Sequence, residues 1–420
     1  MTTRISGSIG AALLISLAAG APAAVTVTMQ LIPNALSADD LSPDGQWVVG
    51  SSGAGGFFPD QPYRWNTVTG QYTLLAAPGI DAVGVSDSGT VVVGDIPNPE
   101  GDGAEVAGRW RATTLNWQGL GYLPNALMCP SRSNSYEVSA DGSVVVGLSW
   151  DGCSGRAMRW TSATGMQELE SLANGNNRAS VVSSDGTVVA GFAQGSFSRT
   201  PAMWDGPTGV GMLLDPPNGD VIGEVHGMSD DGTILLCEWG ANDGSNDVNA
   251  VKWTALGGPE VIGAGQLIPG WSGIPEDIAD NGTIVGFDFL LGNRRAWIQP
   301  GGEGPLVLMR DFVLGNGGTI PPELASGQIW VAQAISADGT KIIGHGGGSY
   351  AWLITITGVP SACAGDANET NFVDVDDLNI VLSNWNKSVY FGTNGDVDGS
   401  GFVDVDDLNE VLSNWNQGCP

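Results

Sequence analysis

Seven times between residues 42 and 339 the chain repeats a turn that ends in glycine and runs straight into β-branched residues. The copies are Ser42-Pro43-Asp44-Gly45, Ser86-Asp87-Ser88-Gly89, Ser139-Ala140-Asp141-Gly142, Ser183-Ser184-Asp185-Gly186, Ser229-Asp230-Asp231-Gly232, Ala279-Asp280-Asn281-Gly282 and Ser336-Ala337-Asp338-Gly339, spaced by 44 to 57 residues. An Asp-Gly step is a hairpin signal, because glycine accepts positive φ and the acidic side chain bonds nearby amides. The runs that follow, such as Val91-Val92-Val93 and Val144-Val145-Val146, read as strands, and each anchor is trailed by one tryptophan: Trp65, Trp110, Trp160, Trp204, Trp253, Trp297 and Trp352. Frequent turns with almost no helical periodicity make residues 25–357 all-β. A period of this length, with about four short strands per unit, predicts a β-propeller of about seven blades. The stretch Val25–Leu31 matches the strand found before later anchors, as in Gln71–Leu75, whereas the last repeat stops soon after Trp352. An N-terminal strand completing the final blade would close the ring and pair two exposed edges. The tryptophans, one per repeat, are expected to pack between blades.

The C-terminal residues 358–420 follow a different rule. A fourteen-residue cassette occurs twice, as Phe372–Trp385 and Phe402–Trp415. Upstream of each copy, oxygen-bearing side chains alternate in the spacing of a calcium loop, which takes ligands from positions 1, 3, 5, 7, 9 and 12. The first loop reads Asp366, Asn368, Thr370, the carbonyl of Phe372, Asp374 and Asp377; the second reads Asp396, Asp398, Ser400, the carbonyl of Phe402, Asp404 and Asp407. Gly401 holds the sixth position of the second loop and Asn371 that of the first, so the second loop is expected to fill first. Leu378, Val381, Leu382 and Trp385, and again Leu408, Val411, Leu412 and Trp415, recur at helical spacing. Each set predicts one helix starting at Asp374 or Val375, or at the matching residue of the second copy, with an apolar stripe to bury against its twin. The whole chain is thus expected to be a mainly β protein: a propeller followed by a small α-helical domain with a duplicated calcium loop and two Ca²⁺ sites.

This duplicated loop-and-helix unit resembles the type I dockerin family over roughly residues 362–418. The resemblance implies Ca²⁺-dependent docking onto a cohesin domain. Dockerins often carry hydroxyl residues at the tenth and eleventh loop positions, where this chain has Val375-Asp376 and Val405-Asp406. The Ser-x-Asp-Gly turn, Val-Val-x-Gly strand and Ala-x-x-Trp strand of the long repeat resemble the HAF family of extracellular repeats. They are also similar to the Ser-Pro-Asp-Gly step of propeller repeats in periplasmic proteins. That likeness implies a fold and leaves activity open, since propellers host many unrelated functions.

Residues 1–24 read as a secretory signal peptide: a short basic start, an apolar run from Ile9 to Ala19 too brief to span a bilayer, and the small residues Ala21-Pro22-Ala23-Ala24. The expected location is extracellular or on the cell surface. A net charge of −30 argues against nucleic acid and anionic membrane as partners and favours cations. Cys363 and Cys419 bracket the duplicated module and form a natural pair, Cys129 and Cys153 flank one strand region and offer a second, and Cys237 in an apolar run reads as a buried free thiol.

Nothing in the sequence marks a catalytic centre. The two histidines, His226 and His345, stand in different repeats beside glycine and read as turn residues. A carboxylate pair for glycoside cleavage could be sought in Asp230/Asp231 or Glu276/Asp277, although the hairpin turn explains Asp230 and Asp231 better. Trp150, Trp239, Phe57, Phe58, Phe192 and Phe287 fall at comparable strand ends, where they either line a face that stacks on sugars or simply pack. Three functions follow as expectations. The first is a secreted non-enzymatic assembly protein, docked through its C-terminal module, whose propeller binds or displays a ligand such as a glycan. The second is a secreted carbohydrate-active enzyme, and the third a calcium-stapled structural protein without a docking partner.

Overall fold

The computed structural model describes residues 26–53, 61–99, 104–124, 131–150, 154–195, 198–214, 221–241, 248–325, 327–347, 350–357, 365–367, 372–387, 395–397 and 402–416. The expectations for the signal peptide, for Phe57 and Phe58, for Cys129, Cys153, Cys363 and Cys419, and for Asn368, Thr370, Asn371, Asp398, Ser400 and Gly401 lie outside these residues.

Seven four-stranded antiparallel sheets form a seven-bladed β-propeller. Their innermost strands are Asp40–Leu41, Gly84–Val85, Ser133–Val138, Asn177–Val182, Val221–Met228, Ser272–Ile278 and Ile329–Ile335, for blades 1 to 7. In six blades the strands follow one another in sequence; blade 7 takes its outer strand from the other end of the chain. That strand, β1 (Thr26–Leu31), runs antiparallel to Tyr350–Thr357 from Thr26 opposite Thr357 to Leu31 opposite Trp352. The ring is closed by both ends of the domain, as the sequence predicts.

In five blades the anchor turn is built by the side chains of its own serine and aspartate. In blade 1, Ser42 Oγ donates to Asp44 Oδ1 at 2.6 Å and accepts from Trp47 N at 2.9 Å, while Asp44 Oδ1 also accepts from Gln46 N at 2.9 Å. Gly45 takes φ of 67°, the left-handed conformation that a Cβ disfavours. The same bonds recur at Ser139/Asp141, Ser183/Asp185, Ser229/Asp231 and Ser336/Asp338. Blade 6 has Ala279 and Asn281 instead, and keeps only the Asx bond from Thr283 N at 3.0 Å.

One residue beyond the anchor position, the backbone links five pairs of neighbouring blades. Asp87 N donates to Ala140 O, Ala140 N to Ser184 O, Ser184 N to Asp230 O, Asp280 N to Ala337 O, and Ala337 N to Pro43 O. Blade 1 cannot pass the chain of bonds on to blade 2, because Pro43 has no N–H to give. This belt draws the blades together at the anchor end of the central channel.

The tryptophans pack as one set: Trp65, Trp110, Trp160, Trp204, Trp253, Trp297 and Trp352 are all 7% exposed or less. Clusters such as Val144, Val146, Leu169, Ala179, Val189 and Trp204 mix side chains of adjacent blades, so the core is seven inter-blade wedges rather than one centre. Cys237 is buried and unpaired. It fills the place of the strand glycine in other blades, where an added Cβ at Gly147 or Gly191 would meet a backbone carbonyl at 2.1 Å.

One helix departs from the all-β expectation. α1 (Met309–Gly315) follows blade 6 and buries Met309, Phe312 and Val313 against Val27, Ile354 and Ile356 of blade 7. Seven residues are too few to raise a 3.6-residue period above the strand signal around it.

At the C-terminus, α2 (Val375–Ser383) and α3 (Val405–Ser413) repeat one design. Asp374 and Asp404 are the N-caps, and each closes a capping box with Asp377 or Asp407. Val373, Val381, Val403 and Val411 form a small core between the copies. No helix among the described residues is long and apolar enough to cross a membrane.

Candidate functional site

Counting back from each anchor serine, or from Ala279, puts the residues that line the channel in columns. Two residues before the anchor stand Asp40, Gly84, Glu137, Val181, Gly227, Asp277 and Ala334. The longer inner strands slip register here, between Ser135 and Glu137, Ala179 and Val181, Val225 and Gly227, Pro275 and Asp277, and Ala332 and Ala334. A bulge of this kind takes amides out of the sheet ladder. The acids supply the missing acceptors. Asp40 accepts from Leu41 N and, across to blade 2, from Val85 N, both at 2.7 Å. Asp277 does the same with Ile278 N and, in blade 7, Ile335 N, both at 2.8 Å. Glu137 accepts from Val138 N at 2.7 Å and fills the space left by Gly84, whose Cβ would come within 2.9 Å of Glu137 Oε1.

Burial, reinforced by neighbouring carboxylates, raises the pKa values of this group. Asp40 is pushed up to about 7 against its two amide bonds, and Asp39 beside it to about 6. Glu137 and Asp277 go well above the usual carboxylate range. Both Asp277 oxygens are taken up by amides of blades 6 and 7, so Asp277 serves as an inter-blade brace. A carboxyl near 4 when unfolded and near 7 when folded binds more protons in the native state between those values, so stability falls as pH rises through that window. We expect the unfolding temperature, followed by circular dichroism at fixed Ca²⁺, to drop by roughly 2–6 °C between about pH 5 and about pH 8, and Asp40→Asn to flatten the slope. An unchanged slope in that variant would remove Asp40 from the account.

Three residues before the anchor stand Asp39, Val83, Tyr136, Ser180, His226, Glu276 and Gln333, and five before it Ser37, Asp81, Asn134, Arg178, Glu224, Ile274 and Val331. On blades 4 to 7 these columns bring together a charged cluster. Glu224 accepts from Arg178 at 2.8 Å through Oε1 and from Arg199 at 2.7 Å through Oε2. His226 Nε2 lies 3.7 Å from Glu224 Oε1 and 3.6 Å from Glu238 Oε2, and its Nδ1 faces Glu276 Oε1 at 3.9 Å. Gln333 Nε2 donates to Glu276 Oε2 at 3.1 Å. Burial alone would lower the His226 pKa, but Glu238, Glu276 and Glu224 outweigh it and bring it to about 9. His226 is therefore an inward residue of a strand, not the turn residue its glycine neighbour suggests. His345 also lies in a strand, Lys341–Gly346, where burial and then Arg294 pull it down to about 4. The channel beside His226 encloses about 140 Å³, room for ions and waters and less than the roughly 300 Å³ at which organic ligand pockets begin.

Among the described residues, the aromatic side chains singled out do not form a sugar platform. Trp239, Phe192 and Phe287 are 4%, 3% and 8% exposed, and guanidinium groups cover several rings. Arg178 and Arg199 lie over Phe192 at 4.7 and 4.4 Å, and Arg132 over Trp150 at 4.4 Å. Asp231 is occupied by its turn, accepting from Ser229 Oγ and Thr233 N.

In the C-terminal module, Asp366, Asp377, Asp396 and Asp407 are buried, at 5%, 0%, 1% and 0% exposure. Asp407 accepts from Val397 N at 2.7 Å and from Asp404 N at 2.8 Å, which ties the twelfth loop position to the first loop residues and to the helix cap. Asp377 accepts from Asp374 N at 2.7 Å in the first copy. Phe372 and Phe402 each sit in an isolated β-bridge. Gly365 and Gly395, with φ of 86° and 94°, precede the first carboxylate of each loop. An all-oxygen donor set with buried carboxylates suits a hard cation. The apolar stripe is split, however. Val381 and Val411 are fully buried, but Leu382 and Leu412 are both 52% exposed and Trp385 and Trp415 both 41%. The expected burial of whole stripes fails because two nine-residue helices offer each other only one ridge.

No family model and no curated protein matches the chain. Among solved structures it is similar to TolB from Acinetobacter baumannii, with TM-score 0.37 and 17% identity over 52% of this chain and 53% of that one, so it spans about half the length of that relative. It is similar to the β-propeller domain of the Trilobed protease from Pyrococcus furiosus, with TM-score 0.46 and 12% identity over 77% and 92% of the two chains. It is similar also to an oligogalacturonate lyase from Vibrio parahaemolyticus, with TM-score 0.50 and 11% identity over 82% of this chain and 100% of that one. At 11% identity this last likeness speaks for the propeller fold and not for an activity.

Proposed function

We propose that the chain is a secreted, non-enzymatic assembly component whose residues 358–420 dock, in a Ca²⁺-dependent way, onto a cohesin-like partner while the propeller displays or binds a ligand. In this reading Asp366, Asn368, Thr370, Phe372, Asp374 and Asp377 hold one Ca²⁺, and Asp396, Asp398, Ser400, Phe402, Asp404 and Asp407 the other. The ion gives loops this rich in carboxylate the positive charge that lets them fold. The observation that carries the reading is the matched exposure of apolar side chains: Val375, Leu382 and Trp385 at 54%, 52% and 41%, and Val405, Leu412 and Trp415 at 53%, 52% and 41%. A staple that only tied down the C-terminus has no use for two equivalent sets of exposed leucine and tryptophan, whereas a docking face does.

The test immobilises the full chain and measures retention of purified cohesin domains with Ca²⁺ and after chelation. Retention should require Ca²⁺, and the double variant Leu382→Asp/Leu412→Asp should weaken it by about 100-fold or more while the Ca²⁺-induced circular dichroism change persists. Undiminished retention by that variant, or retention in chelator, would sink the proposal.

A further inference from the structure

The charged cluster on blades 4 to 7 has a feature that ion pairing leaves unused. His226 Nε2 is buried without a hydrogen-bond partner, and it points between two carboxylates that stand just beyond hydrogen-bond reach, at 3.6 and 3.7 Å. We propose that Glu224, His226 and Glu238 form a binding site for one divalent first-row transition cation, such as Mn²⁺ or Zn²⁺, inside the propeller channel, separate from the C-terminal calcium loops.

The spacing fits an ion better than a direct bond. Donors about 2.0–2.2 Å from a tetrahedral cation are about 3.3–3.6 Å from one another. Nitrogen and carboxylate donor atoms of Glu224, His226 and Glu238 all lie within 4.8 Å of each other, and the two edges that meet at Nε2 are close to the tetrahedral value. One imidazole with two carboxylates selects manganese, iron or zinc over the harder Ca²⁺. A second layer of contacts supports the ligands in the way metal sites require. Glu276 faces the other imidazole nitrogen and is itself held by Gln333, while Arg178 and Arg199 fix the Glu224 carboxylate. The residues come from strands of blades 4 to 7, which are rigid elements, and the 140 Å³ cavity at His226 leaves room for water to complete the coordination.

The competing arrangement is a protonated His226 shared among the glutamates with no metal. The two are separated by loading the full chain with Mn²⁺ in excess Ca²⁺, which occupies the C-terminal loops, removing loosely held ions by gel filtration, and measuring bound metal together with pulsed electron paramagnetic resonance. The expected result is one Mn²⁺ per chain with nitrogen coupling from a single imidazole. His226→Gln and the isosteric Glu238→Gln should each weaken binding by about 30-fold or more. No retained transition metal in the wild-type protein, or retained Mn²⁺ without imidazole coupling, would overturn the proposal. The resonance signature is read on the wild-type chain, so it decides the matter even where a variant fails to fold.

Discussion

A chain lacking residues 26–31 should unfold at a temperature lower by 10 °C or more, a loss of about 5 kcal/mol or more. The strand it lacks supplies the outer edge of blade 7 across six residue pairs with Tyr350–Thr357. Val27 and Met29 are 1% and 8% exposed and pack with Phe312, Val313 and Ile356, each contributing about 1.5–3 kcal/mol through burial. Without them α1 loses its floor, and the strand through Trp352 becomes an open edge prone to pairing with other chains. Thermal melts and light scattering of the truncated protein would check both effects. Unchanged melting would mean that blade 7 stands on three strands and that closure from the N-terminus contributes little.

The parts of this architecture that are legible in the sequence are those where one residue type has one structural job. Ser183 and Asp185 make the same bonds as the serine and aspartate of four other anchor turns, so the repeat can be found without knowing the fold. β1 is legible for a related reason, since its alternating Val27, Met29 and Leu31 match the outer strands elsewhere. The channel is not legible in that way. Its residues differ from blade to blade, and Asp40, Glu137 and Asp277 share a task that only appears once the inner-strand amides they bind are seen. His226 was hidden by its neighbour Gly227, which suggests a turn. The glycine is there because a Cβ would meet Glu276 O at 2.0 Å, a close approach of blade 6 and not a chain reversal. Aligning the seven repeats on their anchors would have put His226 in a column with Glu276 and Gln333. At the C-terminus, helical spacing identifies Leu382 and Trp385 as one stripe with Val381, but period alone says which residues share a face and not how much of that face a short partner helix covers.

Trp204→Ala should lower stability by about 3–5 kcal/mol, the second large effect expected in this molecule. Trp204 is fully buried and stands in the wedge between blades 3 and 4, against Val144, Val146 and Leu169 of one blade and Ala179, Val189 and Ala202 of the other. Its indole N–H donates to Glu170 O at 2.9 Å, on the stretch that leaves blade 3. Truncation would thus open a cavity at a blade interface and leave Glu170 O without that donor. Phenylalanine keeps most of the volume and loses the bond, so Trp204→Phe should fall nearer 1–2 kcal/mol. The ratio between the variants is the informative quantity in denaturant melts. A large difference places the stabilisation in the filled wedge, as seven equivalent wedges require; equal losses would place it in the single indole bond. Because every wedge touches only its neighbours, a hole here is felt around the whole ring only if the closure by β1 holds. Combining Trp204→Ala with the β1 truncation should therefore lower stability by less than the sum of the separate losses, the mark of a ring rather than of an open row of blades.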